Sequence, residues 1–397
     1  MKYWRGYLTA AILGAFTWVL LQMGQKYTTL VDMVYPYVTR SVQTFLTAWT
    51  APFDFLVWQT AVIFLAIALI AALVLVFIFK ARVIRWLGWA AAAVAAVILL
   101  NTGIYGLNKF SGPIEDDLRL DMVDYTQTEL ENATIFYRDM ANALAPKIRD
   151  ENGEYATSDF ETLAGLTGDG YRKLARERSF SIYGGDYTPV KRLGWAGIYS
   201  AMGKTGITVP LTGESAVNPN IPGYALPFAM AHEMAHRLCI AREDDADFSA
   251  FLACAENDST EYQYSGYFMA FEICRSALFS VDEAAVEAID EGICAELYQD
   301  MNELGDFFLQ NRDEDLIRMV TTVTDTYEEA TTDETVRYSS ACDYLVNWHI
   351  DQYVEEEIIE EKFDPFDESQ VDLSGLVNAK PATEPTEATE SGEGTGE

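Results

Sequence analysis

The chain has 397 residues, half of them hydrophobic, and carries 27 Lys and Arg against 61 Asp and Glu, a formal net charge of −34. Such acidity excludes nucleic acid as an expected partner, because phosphate binding needs clustered Lys and Arg; so apolar a composition under so large a charge also excludes a single water-soluble domain. A cut after Asn108 separates the two characters: seven basic residues (Lys2, Arg5, Lys26, Arg40, Lys80, Arg82, Arg85) against Asp32 and Asp54 leave residues 1–108 at +5, and residues 109–397 at −39. A basic, apolar segment ahead of an acidic one reads as a membrane anchor followed by a soluble domain.

Within the anchor, residues 7–23 form a first apolar run behind Lys2 and Arg5. No small-x-small cleavage site follows Leu21 closely, so an uncleaved span is expected rather than a removable leader. Residues 55–79 and 86–107 run 25 and 22 residues without a charge, each enough at about 1.5 Å per residue to cross a bilayer core of about 30 Å. The lipid bilayer is therefore the first expected partner. Lys2 and Arg5 precede the first span and Lys80, Arg82 and Arg85 fill the loop between the other two. The positive-inside tendency then puts both clusters in the cytoplasm and everything after Leu107 outside. Gly88, Ala92, Gly103 and Gly106 are small enough for close helix packing in the third span.

Beyond the anchor the pattern is mainly helical. Residues 125–148, 158–178, 243–255, 260–280, 281–304, 313–328 and 334–362 show apolar positions at three- and four-residue spacing. One stretch reads as a strand, residues 206–211, β-branched and bounded by Gly206 and Pro210. Residues 364–397 hold one aromatic, Phe366, in a run of Glu, Thr, Pro and Gly, and are expected to form a disordered acidic tail. The five cysteines (Cys239, Cys254, Cys274, Cys294, Cys342) form no CxxC pair, and an odd, widely spaced set argues against a disulfide framework or a thiolate metal site.

The chemistry is concentrated in His232-Glu233-Met234-Ala235-His236, which uses two of the three histidines in the chain. Positions i and i+4 lie on one helix face, so both imidazoles reach one Zn²⁺, while Glu233 is placed to act as general base on water. Pro227 suits the first turn of that helix. A catalytic zinc needs a third protein ligand and an open position. The third histidine, His349, sits in a helical pattern of Tyr, Leu and Trp and reads as a packing residue. Glu243 follows His236 by seven residues, about 10.5 Å along an unbroken helix and too far to share a metal. If Glu243 is the ligand, the helix must end near residues 237–240 and the chain must turn back. Glu256, twenty residues after His236, competes, since it has the spacing of thermolysin-like gluzincins. Asp247 favours Glu243: it stands four residues after it, fit to hold a ligating histidine by its second N–H, whereas the matching position after Glu256 is Thr260.

The run HEMAHRLCIAREDDADFSAFLAC resembles the signature of an uncharacterised bacterial family of three-pass membrane proteins with an extracytoplasmic, zincin-like HExxH domain. The likeness extends to residues 206–218, 264–267 and 105–108. Glu243-x-x-Ala246-Asp247 is also similar to the element that supplies the third ligand in prenyl-protease-type membrane zinc endopeptidases. The family usually has glycine where this chain has Cys239, which puts a strained left-handed residue, or a turn shifted by one, after the helix. The resemblance implies a mainly α fold: a three-helix transmembrane anchor (1–108), a mostly helical zincin-like metalloprotease domain with a small edge strand or sheet (109–363), and the tail.

The expected function is that of a zinc-dependent endopeptidase of the cell membrane acting on a peptide or protein substrate, with His232, His236 and Glu243 on Zn²⁺, Glu233 as base and Asp247 behind a histidine. Tyr264 and Tyr267 are candidate donors to the transition state. Gly206 and Thr208 on the edge strand, with Glu214 and Asn218 after it, are candidate cleft residues, although Glu214 and Asn218 equally suit a role in closing the loop. The alternative is a catalytically silent zinc-binding sensor or cell-envelope assembly protein.

Overall fold

A computed structural model describes residues 4–78, 83–156, 158–331 and 339–354. The expected tail at 364–397 and the outer parts of the expected helix at 334–362 lie outside the described residues. Met1–Asp351 form one compact unit; of the second, Gln352–Glu397, only residues 352–354 are described.

Four helices open the chain: α1 (Arg5–Lys26), α2 (Thr28–Thr50), α3 (Val57–Ile78) and α4 (Val83–Ile104). Among the described residues α1, α3 and α4 are long and apolar enough to cross a bilayer, and their positions agree with the three expected spans. They suggest association with a lipid bilayer. α1 and α4 run parallel, Gly6 against Gly88 at one end and Gly24 against Leu107 and Phe110 at the other. A Cβ on Gly6 would lie 2.4 Å from the Gly88 carbonyl carbon, so both glycines are needed for that approach. Ala92 is buried in the same pair, but Gly103 faces open space. The expected helical spans did not include α2, whose polar side packs on the rest of the molecule.

The domain that follows contains α5 (Ile114–Leu118), α6 (Gln127–Leu144), α7 (Phe160–Arg176), β1 (Lys191–Arg192), α8 (Ala196–Ala201), β2 (Gly206–Val209), β3 (Glu214–Val217), α9 (Leu226–Arg237), α10 (Glu243–Ala255), α11 (Thr260–Phe279), α12 (Glu283–Asp290), α13 (Ala295–Asn311), α14 (Glu314–Thr331) and α15 (Ala341–His349). The expected helix 281–304 is two helices, α12 and α13, broken at Gly292. Local capping fixes several starts: Thr126 and Glu129 form a capping box on α6, Ser340 and Asp343 another on α15, and Asp159 caps α7. The sheet has order β1-β3-β2, with β1 parallel and β2 antiparallel to β3. The expected strand at 206–211 is β2, and it lies at the sheet edge.

α9 is the axis of the domain, packed between α7, α10, α11 and the sheet. Phe228, Met230, Ala231, Met234 and Ala235 are buried, and every residue of α9 is buried except His232 and His236. A helix buried on all sides but one i, i+4 stripe is fixed in rotation by its surroundings, and the stripe holds the two histidines.

Candidate metal centre

α9 ends at Arg237, where the chain turns back: the Cys239 N–H donates to the His236 carbonyl (3.0 Å) and the Ile240 N–H to the Ala235 carbonyl (3.1 Å). This is a Schellman turn with Cys239 at its left-handed position, φ 76°, where glycine is the usual residue. The turn is therefore not displaced by the missing glycine. α10 then starts at Glu243 and brings that side chain back over α9.

His232 Nε2 and His236 Nε2 lie 3.0 Å apart, and Glu243 Oε2 lies 3.3 Å from the first and 3.5 Å from the second. One ligand atom from each residue falls within 4.8 Å of the others. Each imidazole is oriented from behind: His232 Nδ1 is 2.7 Å from Asp247 Oδ1, and His236 Nδ1 is 2.8 Å from the Ile240 carbonyl supplied by the turn. Two imidazole nitrogens and a carboxylate oxygen with such partners suit a borderline cation such as zinc. The electrostatics also favour positive charge. Burial opposes protonation of His232, but Asp247 and Glu243 outweigh it and push its pKa up to about 10. Burial would raise Glu243, yet hydrogen bonds from the two histidines hold it well below the usual carboxylate range.

Glu233 is 4 % exposed, and burial pushes its pKa up against the lowering influence of both histidines and Thr208. The Thr208 hydroxyl lies 2.7 Å from Glu233 Oε2 and 2.8 Å from the Glu233 carbonyl oxygen, which also accepts from Ser215 (2.9 Å). A Cβ on Gly206 would come within 2.6 Å of Glu233 Cγ and Oε1. β2 thus runs against the Glu233 side chain because its first residue has none. A cleft of 560 Å³ opens here, lined by His232, Glu233, His236 and Glu243 on one side and by Gly206, Thr208, Tyr199 and Val320 on the other.

Four candidates lie elsewhere. Tyr264 is buried with its hydroxyl on Asp300, itself paired with Arg149, and Tyr267 packs among Phe136, Tyr137 and Phe251. α11 turns its YSGY face into the core, so neither hydroxyl reaches the cleft. Glu214 caps α3 by accepting the N–H groups of Val57 (2.9 Å) and Trp58 (3.0 Å) and pairs with Lys191 (2.9 Å). Asn218 closes its loop, donating to Ser200 Oγ (3.0 Å) and accepting from Asn220 N–H (3.0 Å). Of the rival ligands, Glu256 pairs with Arg178 at 2.7 Å away from the cluster, and His349 stacks on Phe136.

Sequence reasoning missed Tyr105, which follows α4 and donates to the His236 carbonyl at 3.0 Å, and Tyr199 of α8. Tyr105 falls within the 105–108 stretch of the likeness, which gave it no role, and Tyr199 in no motif; the contacts of both come from tertiary packing.

No curated protein and no solved structure matches this chain, so neither a zincin nor a prenyl-protease-type relative supports the likeness carried by the HExxH and Glu243–Asp247 residues. The match that exists runs over residues 31–346, from α2 to α15, and by it the chain belongs to the family described as protein of unknown function (DUF3810).

Proposed function

We propose that the chain is a membrane-anchored, zinc-dependent endopeptidase whose domain lies outside the cytoplasm. The reading is supported by the convergence of His232, His236 and Glu243 beside the buried carboxylate of Glu233. The three converging side chains would hold Zn²⁺ with a position left open; a zinc ion so held lowers the pKa of water and polarises a carbonyl oxygen. Glu233 accepts the proton released as water adds to the scissile carbonyl carbon and delivers it to the amine nitrogen as the C–N bond breaks. Thr208 holds Glu233 in place. Tyr199, kept protonated by burial that pushes its pKa up to about 12, donates to the developing oxyanion in place of Tyr264 and Tyr267. β2, at the sheet edge, pairs with an extended substrate.

A site kept for structure has no use for a base and fills its fourth position with protein, so Glu233 and the cleft favour catalysis over a silent sensor. The test is zinc content and hydrolysis of a peptide library by the full chain in lipid nanodiscs, beside Glu233→Gln. Zinc in both proteins, with hydrolysis reduced by about 10²–10⁴-fold in the variant, is expected. Equal hydrolysis in the two removes the peptidase reading, zinc without hydrolysis in either favours the sensor, and absence of zinc removes the centre.

A further inference from the structure

α2 is inverted relative to a helix on a soluble protein. Its buried stripe is mostly polar, and these side chains are used on the domain. Thr39 Oγ1 is 3.1 Å from Asn108 Oδ1, Gln43 donates to the Pro210 carbonyl at 3.1 Å, Thr47 to that of Gly213 at 2.8 Å, and Thr50 to that of Thr212 at 3.2 Å. The two charged residues of α2 are used in the same way: Asp32 accepts the Gly112 N–H (2.9 Å), and Arg40 donates to the carbonyls of Leu238 (3.4 Å) and Ser181 (3.2 Å). The opposite face carries Leu30, Met33, Tyr37, Val38, Phe45 and Trp49, each more than half exposed, separated by Ser and Thr and by no charge. Water does not suit a strip of this kind about 35 Å long.

Both ends of α2 are tied to the mouths of apolar helices on one side of the molecule. At its start, Tyr35 donates to the carbonyls of Thr102 and Gly103 at the end of α4. Past its end, α3 begins on Glu214, the first residue of the strand whose hairpin turn rests on Thr47 and Thr50. The end of α1, the end of α4 and the start of α3 share a membrane face whichever way the chain is oriented, so a helix linking them runs along that face.

We propose that α2 lies in the plane of the bilayer's interfacial layer, with its apolar face among the acyl chains and its polar face carrying the domain. The occupant of the exposed strip is lipid, by continuity with the lipid-facing surfaces of the helices at its two ends. α2 holds both walls of the cleft, through the 210–213 turn beyond β2 and the 238–240 turn beyond α9.

The test uses the full chain in nanodiscs, with Cys294→Ser to remove the one native thiol that is not buried and a single new cysteine at Tyr37→Cys or Phe45→Cys, labelled with an environment-sensitive fluorophore. Tyr298→Cys and Leu309→Cys on α13, at 61 % and 71 % exposure, serve as references. Blue-shifted emission and loss of fluorescence to lipid-borne nitroxide at Tyr37 and Phe45, with loss to aqueous iodide at Tyr298 and Leu309, are expected. Iodide quenching at Tyr37 and Phe45 equal to that at the references overturns the proposal. So does insensitivity of the labelled variants to both quenchers together with disulfide-linked dimers of the unlabelled Tyr37→Cys or Phe45→Cys chain, which makes a second copy the occupant.

Discussion

At the scale of single residues, the site rests on two short-range constraints that mutation separates. Glu243 faces both imidazoles, whereas Glu256 pairs with Arg178 at the end of the same helix. Glu243→Ala is expected to lower zinc affinity by at least about tenfold, and Glu256→Ala to leave it unchanged, as read by competition with a chromogenic chelator; equal loss in both rejects Glu243 as ligand. Gly206 lies against the Glu233 side chain. Gly206→Ala puts a methyl 2.6 Å from Glu233 Cγ, and since about 1 Å of displacement at a reacting group costs on the order of 10²-fold, kcat should fall by roughly that factor with zinc retained. Unchanged kcat means β2 moves and Glu233 does not. The first of these residues was legible in sequence and the second only in part. His232, His236 and Glu243 are linked by helix geometry and a forced turn, both local. The contact of Gly206 with Glu233 depends on how a strand twenty-seven positions away lies on the helix. Tyr264 shows the limit: nothing in its neighbours in sequence tells that its hydroxyl belongs to Asp300.

At the scale of elements, the helices around α9 are held by a close approach that leaves no room for a side chain. Gly170 of α7 meets α10 so tightly that a Cβ would lie 1.8 Å from the Ala253 carbonyl oxygen, a backbone atom that moves only with its helix. Gly170→Ala should destabilise the domain by about 3 kcal/mol or more, measured by denaturant unfolding in detergent. Gly165→Ala, one and a half turns earlier with open space at its Cβ, should stabilise it by about 0.5–1 kcal/mol. Destabilisation by both would show that the effect belongs to the helix and not to the contact. α15 adds a pH dependence. Burial against Phe136 and Tyr137 lowers the pKa of His349 from its ordinary 6.5. The unfolded chain therefore binds a proton there at a pH where the folded chain does not. The stabilisation is complete above about 6.5 and is lost as pH falls through the folded value. Between pH 7 and pH 5 the wild-type Tm should fall more steeply than that of His349→Leu; parallel slopes reject the assignment. Most helices were legible as apolar periodicity. α2 was not, because its periodicity is set by a polar stripe that faces protein and an apolar strip that faces outward, the reverse of the pattern for a domain in water.

At the scale of the whole molecule, the N-terminal helices take part in building the candidate site. Arg40 of α2 and Tyr105 after α4 both hold the turn that ends α9, and Gln43, Thr47 and Thr50 hold the hairpin turn beyond β2. With α2 in the interface, the four residues of β2 rise from that turn by roughly 13 Å at about 3.3 Å per residue, which sets the height of the cleft above the acyl chains. A polypeptide held at the same surface by its own span or lipid chain meets the cleft at an effective concentration in the millimolar range without further contacts. If the proposed peptidase function and the interfacial placement of α2 both hold, the favoured substrate is the segment just outside the membrane in an anchored protein, and a scissile bond needs roughly four residues or more of extended chain between it and the anchor to reach. A peptide cleaved by the full chain in nanodiscs should be hydrolysed at least about tenfold faster, at equal bulk concentration, when joined to a lipid through a linker of that length. The rate should fall steeply with shorter linkers and gradually with longer ones. Glu233→Gln separates the chemistry from the geometry: loss of hydrolysis for free and tethered peptides alike supports the peptidase. Equal wild-type rates for free and tethered peptides leave the peptidase standing and reject a cleft set at the membrane surface.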